Sequence, residues 1–224
     1  MALETFGVES ASPRINRPDT DAPRSPAYTG LMTRALFIID VQNDFTEGGA
    51  LGVTGGDAVA AGITTYLKAH KNDYDVVFAS RDWHTAGSTN GGHIALPPDR
   101  PDYVDTWPVH CIAGTPGADY DPGLDASLID VHIRKGQNVP AYSIFEGTDD
   151  SGRPFPQVLD AYHVTDVDVA GIATDYCVRA SALGALRSGR RVRILTDLVA
   201  GVAPATSKAA LEELEKAGAT LVTA

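Results

Sequence analysis

The sequence predicts an α/β protein: a three-layer α/β/α domain on a six-stranded, mainly parallel sheet. Six short runs rich in Val or Ile have the length of buried strands, and segments suited to helices lie between most of them. At 224 residues and 43% hydrophobic, the chain is long enough for one sizeable core and too short for two comfortable ones. A βαβ alternation in one core implies helices on both sheet faces and ligands beyond the carboxyl ends of the strands.

The first run is ALFIIDV at 35–41, followed by a helical segment at 57–69 and a second run, DVVFAS, at 75–80. From residue 82 to 128 neither period is persuasive, and Gly, Pro, Thr and Asp crowd the segment. A loop this long in a compact domain is functional or disordered, and Trp83, Tyr103, Trp107, Tyr120 and three histidines argue against disorder. The remaining strands are IDVHIR at 129–134, VDVAGIA at 167–173, RVRIL at 191–195 and ATLVT at 219–223. Helices are expected at 156–162, 175–188 and 206–216, the last with the Ala, Leu, Glu and Lys content of a strong helix former.

Residues 1–33 carry four prolines among Arg, Asp, Ser and Thr, with too little apolar surface to offset ordering, and are expected to be a flexible tail ahead of one domain at 34–224. Met32 is a second candidate start. No run has the length of a membrane span, and the tail lacks the apolar stretch of a secretory signal. A net charge of −11, from 18 basic and 29 acidic residues, disfavours nucleic acid and anionic lipid as partners. Two cysteines, Cys111 and Cys177, give no disulfide framework and fit a reducing cytoplasm. Nothing in the sequence separates a monomer from a homo-oligomer.

Polar residues at the strand ends carry the chemistry. Asp40, Asp82, Lys135 and Cys177 fall at or just past the ends of the first four runs, on one edge of the sheet. Cys177 follows a strand with Thr174 as a helix N-cap, so first-turn N–H groups would favour its thiolate and hold an oxyanion. Intracellular cysteines are more often small buried hydrophobes. Asp40 as proton acceptor and Lys135 as its cationic partner shift the weight toward a Cys/Asp/Lys nucleophile. Asp82 and His84, two apart on an extended segment, share a face, and with His93 and His110 they make a donor set for one divalent ion: Zn, Fe or Mn. Loop histidines without a ligand are the plainer alternative. Packing is expected of Cys111, and no ligand role of His70, His132 or His163.

Five stretches resemble bacterial nicotinamidases (pyrazinamidases) of the isochorismatase-like cysteine hydrolase superfamily: IDVQNDF at 39–45, SRDWH at 80–84, WPVHC at 107–111, GTPGA at 114–118 and GIATDYCV at 171–178. The resemblance runs from about residue 35 to 224. It implies Asp40 as base, Lys135 as electrostatic partner, Cys177 as nucleophile and Asp82, His84, His93 and His110 as metal ligands, with zinc first in line. It also implies a cis peptide between Ile172 and Ala173, an oxyanion hole from the Ala173 and Cys177 amides, and ring binding by Phe45, Trp107 and Tyr142. The implied reaction is hydrolysis of a small heteroaromatic amide, nicotinamide to nicotinate and ammonia, through a thioester and in NAD salvage. Two departures stand out. The stretch between His84 and His93 is longer than in some relatives, and Tyr176 stands where several carry His. Another isochorismatase-like hydrolase, acting on a different small amide, and a catalytically silent metal-binding protein are the alternatives.

Overall fold

The structure is a computed structural model describing residues 33–224. The expected tail and the second candidate start at Met32 lie outside the described residues, except that Thr33 already belongs to a strand. Parallel strands β1 (Thr33–Ile39), β2 (Val76–Asp82), β3 (Val131–Lys135), β5 (Val164–Ile172), β6 (Arg191–Ala200) and β7 (Thr220–Val222) are joined at one edge by antiparallel β4 (Thr148–Asp149). The spatial order is β4-β3-β2-β1-β5-β6-β7, so the sheet has seven strands rather than the expected six. The addition, β4, is two residues long and too short to leave a run in the sequence.

Central β1 shows why the runs are apolar throughout. Ala35, Phe37 and Ile39 point into one core with Phe78, Phe155 and Val169, whereas Leu36 and Ile38 point into the other with Ile63, Leu67 and Val77. Both faces are dry, as a parallel sheet between helices requires. Helix α1 (Gly56–His70) presents Val59, Ile63 and Leu67, four apart, to the second core. On the opposite face, α2 (Phe155–Ala161), α3 (Arg179–Arg187) and α4 (Pro204–Lys216) contribute Val158, Ala182 and Leu214 to the first.

Strand boundaries differ from expectation for local reasons. β1 stops at Ile39 because Asp40 takes a left-handed φ of 48°. β2 runs on to Asp82, and β6 continues through polar Thr196 and Asp197, which interrupt its apolar signal. Residues 83–130 hold only two three-residue 3₁₀ turns, Pro116–Ala118 and Ala126–Leu128, in keeping with the irregular reading. No described helix is long and apolar enough to cross a membrane. The chain moves from β1 to β2 on one side and later to β5 on the other, which places a crevice at the carboxyl ends of these strands.

Candidate active site

Asp40, Asp82, Lys135 and Cys177 converge in that crevice. Lys135, the last residue of β3, is 1% exposed, and its Nζ lies 2.8 Å from Asp40 Oδ2 and 3.8 Å from Cys177 Sγ. It also donates a short hydrogen bond to Asp82 Oδ1. Ser80 Oγ donates to Asp40 Oδ1 at 2.6 Å, whereas buried Asp40 Oδ2 has the ammonium beside it but no well-aligned donor. One carboxylate oxygen is therefore held and the other is left to receive a proton.

Two buried carboxylates around one ammonium cannot be equally charged, and the surroundings separate them. Burial raises Asp82, but the Lys135 ammonium, together with the His110 and His84 imidazoles beside it, outweighs burial, so its carboxyl sits well below the usual range. Burial dominates at Asp40 and, with the Asp82 charge, carries it above that range despite Lys135. Lys135 is desolvated too, but the two carboxylates push its pKa well above the ordinary lysine value.

Cys177 is the nucleophile candidate, and here the local reading is corrected. Thr174 is no N-cap: Ala173 occupies that place, no side chain caps the turn, and Thr174–Val178 form a single π-type turn leading into α3. Burial pushes the Cys177 thiol well up; Lys135 opposes this, while Asp40 and Asp82 push it further. Its environment favours the thiol, not a thiolate held by a helix dipole. A sulfur in this state has to lose its proton before or during any attack. The Ile172–Ala173 peptide is cis, and Ile172, Ala173 and Cys177 line the cavity together.

Asp82, His84, His93 and His110 come together as well, all buried, each offering one atom to a group lying within 4.8 Å of one another. His84 Nδ1 bonds the Gly136 carbonyl at 2.8 Å and His110 Nδ1 that of Pro108 at 2.7 Å. With Nδ1 carrying the proton in each bond, the Nε2 lone pairs face Asp82 Oδ2, at 3.5 and 3.7 Å. His84 Nε2 is buried and has no hydrogen-bond partner. An orphaned imidazole nitrogen beside a carboxylate and two more imidazoles fits a divalent metal.

Gly136 has φ +80° and a Cβ there would sit 2.5 Å from His84 Cε1. Gly136→Ala is therefore expected to weaken metal binding about 10- to 100-fold, as read by chelator competition. Burial, partly opposed by Asp82, lowers the pKa of His93 to about 4. Between its ordinary value and about 4, the unfolded chain binds this proton and the folded chain does not, so stability falls as pH falls through that window. Melting temperatures of chelator-treated protein should decline with acid over this range, and less so in His93→Gln.

The cavity measures about 420 Å³ and is lined by Phe45, Trp107, Tyr142, His93, His110 and Cys177 among others. Trp107 Nε1 donates to Tyr142 OH at 3.0 Å, and Tyr176 meets Trp107 edge-on at 5.3 Å and stacks with Tyr142 at 6.1 Å. Tyr176 thus extends the aromatic wall. Tyr103 and Val202 also line the cavity and stay more than half exposed, forming an apolar rim.

Several supporting residues carry no signal legible from type alone. Gln42, fully buried, accepts from Asp82 N at 2.8 Å and donates to Asp82 O at 2.9 Å, acting as a peptide-like partner to that residue's backbone. Asp44 Oδ2 accepts from Cys111 N at 2.6 Å, fixing the residue after His110. Both lie in the 39–45 stretch, and their polar character just past a strand end is the one available cue. Cys111 is buried packing, as expected.

Comparison with known proteins places this arrangement. The isochorismatase domain family matches residues 34–224. A nicotinamidase/pyrazinamidase of Mycobacterium tuberculosis is 50% identical over 189 residues, covering 84% of this chain and 98% of that protein. The crystal structure of a Pyrococcus horikoshii pyrazinamidase in complex with zinc superposes with a TM-score of 0.71 at 34% identity, over 85% of this chain and 99% of that one. An L. infantum structure in complex with nicotinate gives a TM-score of 0.71 at 32% identity, covering 86% of this chain and 93% of that one.

Proposed function

The chain belongs to the isochorismatase family, and we propose that it is a metal-dependent cysteine amidohydrolase converting nicotinamide to nicotinate and ammonia, and pyrazinamide to pyrazinoate. One observation carries the reading: a buried Asp40–Lys135–Cys177 group reaches an aromatic-walled cavity through Cys177, and the Asp82, His84, His93, His110 donor set reaches the same cavity through Asp82, His93 and His110. A thiol and a metal sharing one small pocket suit a substrate with a carboxamide at one end and a ring nitrogen at the other.

In this reading Phe45, Trp107 and Tyr142 bind the heteroaromatic ring. Asp82, His84, His93 and His110 would hold one divalent ion, zinc in the first instance, which supplies a Lewis acid for the ring nitrogen. Cys177 Sγ attacks the amide carbon as its proton passes to Asp40 Oδ2, and the Ala173 and Cys177 amides receive the developing oxyanion. Lys135 favours the charged form of Asp40, opposing the burial that raises its pKa. Protonated Asp40 then delivers its proton to the departing ammonia, leaving a Cys177 thioester. Asp40 next takes a proton from water, whose oxygen displaces Cys177 Sγ from the thioester, and passes that proton to the departing sulfur, which restores the thiol and the Asp40 carboxylate. Holding a rigid substrate at both ends turns binding into orientation.

Recycling of nicotinamide for NAD and a reducing cytoplasmic setting complete the proposal, the latter supported by two buried, unbridged cysteines. Steady-state kcat/KM across nicotinamide, pyrazinamide, benzamide and an N-carbamoyl amino acid tests the substrate class. The proposal expects both nitrogen heteroaromatic amides to exceed benzamide, which lacks the ring nitrogen. Preference for the N-carbamoyl compound would move the chain to another branch of the family.

A further inference from the structure

The lengthened stretch between His84 and His93 is closed by one side chain. Asn90 is fully buried and takes a left-handed φ of 47°. Its Oδ1 accepts from Thr85 N at 2.9 Å and Asn138 N at 3.1 Å, and its Nδ2 donates to Thr85 O at 3.2 Å and Ser88 O at 3.1 Å. Its own amide donates to Ser88 Oγ at 3.0 Å, and His93 N reaches back to Asn90 O at 3.4 Å. Every hydrogen-bonding site of the side-chain amide is used, so Asn90 is no metal ligand.

What the network does follows from where it is anchored. Asn138 belongs to the segment just past β3 whose Gly136 carbonyl holds His84 Nδ1. Gly91, next to Asn90, leaves no room for a Cβ against Pro140, 2.9 Å away, so the stretch is pressed onto that same segment. One segment thus fixes His84 directly and His93 through Asn90. Without the Asn90 side chain, the third imidazole would keep the backbone bonds from His93 N to Asn90 O, from Gly92 N and Ile94 N to Thr89 O and from Trp107 N to His93 O, and the edge-on contact of its ring with Tyr142. None of these backbone bonds ties it to residues 136–138, the segment that holds His84.

We infer that Asn90 is the positioning residue that sets His93 against Asp82, His84 and His110. The inference rests on the metal reading of that donor set, and the test separates the two. Zinc affinity is measured by competition with a chromophoric chelator for wild type, Asn90→Gly, Asn90→Asp, His93→Ala and the double variant His93→Ala with Asn90→Gly. Glycine accepts the left-handed φ, so Asn90→Gly removes the hydrogen bonds without imposing backbone strain. It is expected to weaken zinc binding about 10- to 100-fold. Asn90→Asp keeps the acceptor and loses both N–H donors; it should move in the same direction, and it carries the same cycle if the glycine variant does not fold.

A residue that only stabilises the loop would lower affinity independently of His93. A positioning residue acts through it, so the double variant should bind zinc as His93→Ala does, within about twofold. Wild-type affinity in Asn90→Gly and Asn90→Asp, or losses that multiply in the double variant, would overturn the inference alone. Unchanged affinity in His93→Ala would overturn it together with the metal reading.

Discussion

Cys177→Ala is expected to lower nicotinate formation by at least about 10⁴-fold while leaving zinc affinity unchanged, because in the proposed mechanism the thiol forms the covalent intermediate and it belongs to no metal donor set. Its geometry makes the loss specific. Lys135 Nζ lies 3.8 Å from Sγ and 2.8 Å from Asp40 Oδ2, so the alanine variant keeps base and cation but has nothing for them to activate. Cys177 is also part of the core on the α2–α4 side, and Ala is small enough to keep the π-type turn folded. Equal turnover in the variant would remove the thiol from the mechanism. Thiol labelling adds a second check: the raised pKa predicts slow alkylation of free enzyme near neutral pH, against the usual expectation for a nucleophilic cysteine.

Lys135→Met should produce the largest loss of stability of any single change at the site. It leaves the buried carboxylates of Asp40 and Asp82 without their shared cation, a change of the kind that costs about 3–5 kcal/mol. Burial and the Asp82 charge already raise Asp40, and without the ammonium nothing comparable opposes them. A folded-state pKa above the unfolded value means that the folded chain binds the extra proton, so stability is present at lower pH and is lost as pH rises through the folded value. The variant should therefore melt lower than wild type near pH 7 and recover part of the difference on mild acidification. Its kcat should fall as well, since protonated Asp40 cannot take the thiol proton. Melting curves that coincide with wild type at every pH would contradict the account of Lys135 as the buried counter-ion.

Much of the site is legible in the sequence because parallel strands put chemistry at their carboxyl ends. Asp40, Asp82 and Lys135 each follow or close an apolar run, and Cys177 follows the run of β5, so a one-dimensional pattern reports a three-dimensional edge. The short separation of Asp82 and His84 likewise announces a shared face. What the pattern conceals is support. Ser80 looks like one more residue of an apolar strand until its hydroxyl is seen on Asp40, and Gln42 looks like a solvent-seeking amide although it pairs with the backbone of Asp82. Gly136 is informative only through its φ and the imidazole packed against it. The state of the Cys177 thiol is the least accessible of all, because it depends on burial and on charges from other strands, not on the helix that follows it. The edge strand β4 escapes the pattern because it has no apolar residue to signal it, and the end of β6 because Thr196 and Asp197 interrupt the apolar run before Leu198 and Val199.

The most direct measurement is nicotinate and ammonia release from nicotinamide by purified protein in three states: as isolated, after chelation, and after chelation with zinc restored. Cys177→Ala is run beside them. Turnover that falls on chelation, returns with zinc and is lost in Cys177→Ala is the predicted result. Folded, zinc-replete protein that releases no nicotinate would contradict the account, and so would turnover indifferent to both the thiol and the metal.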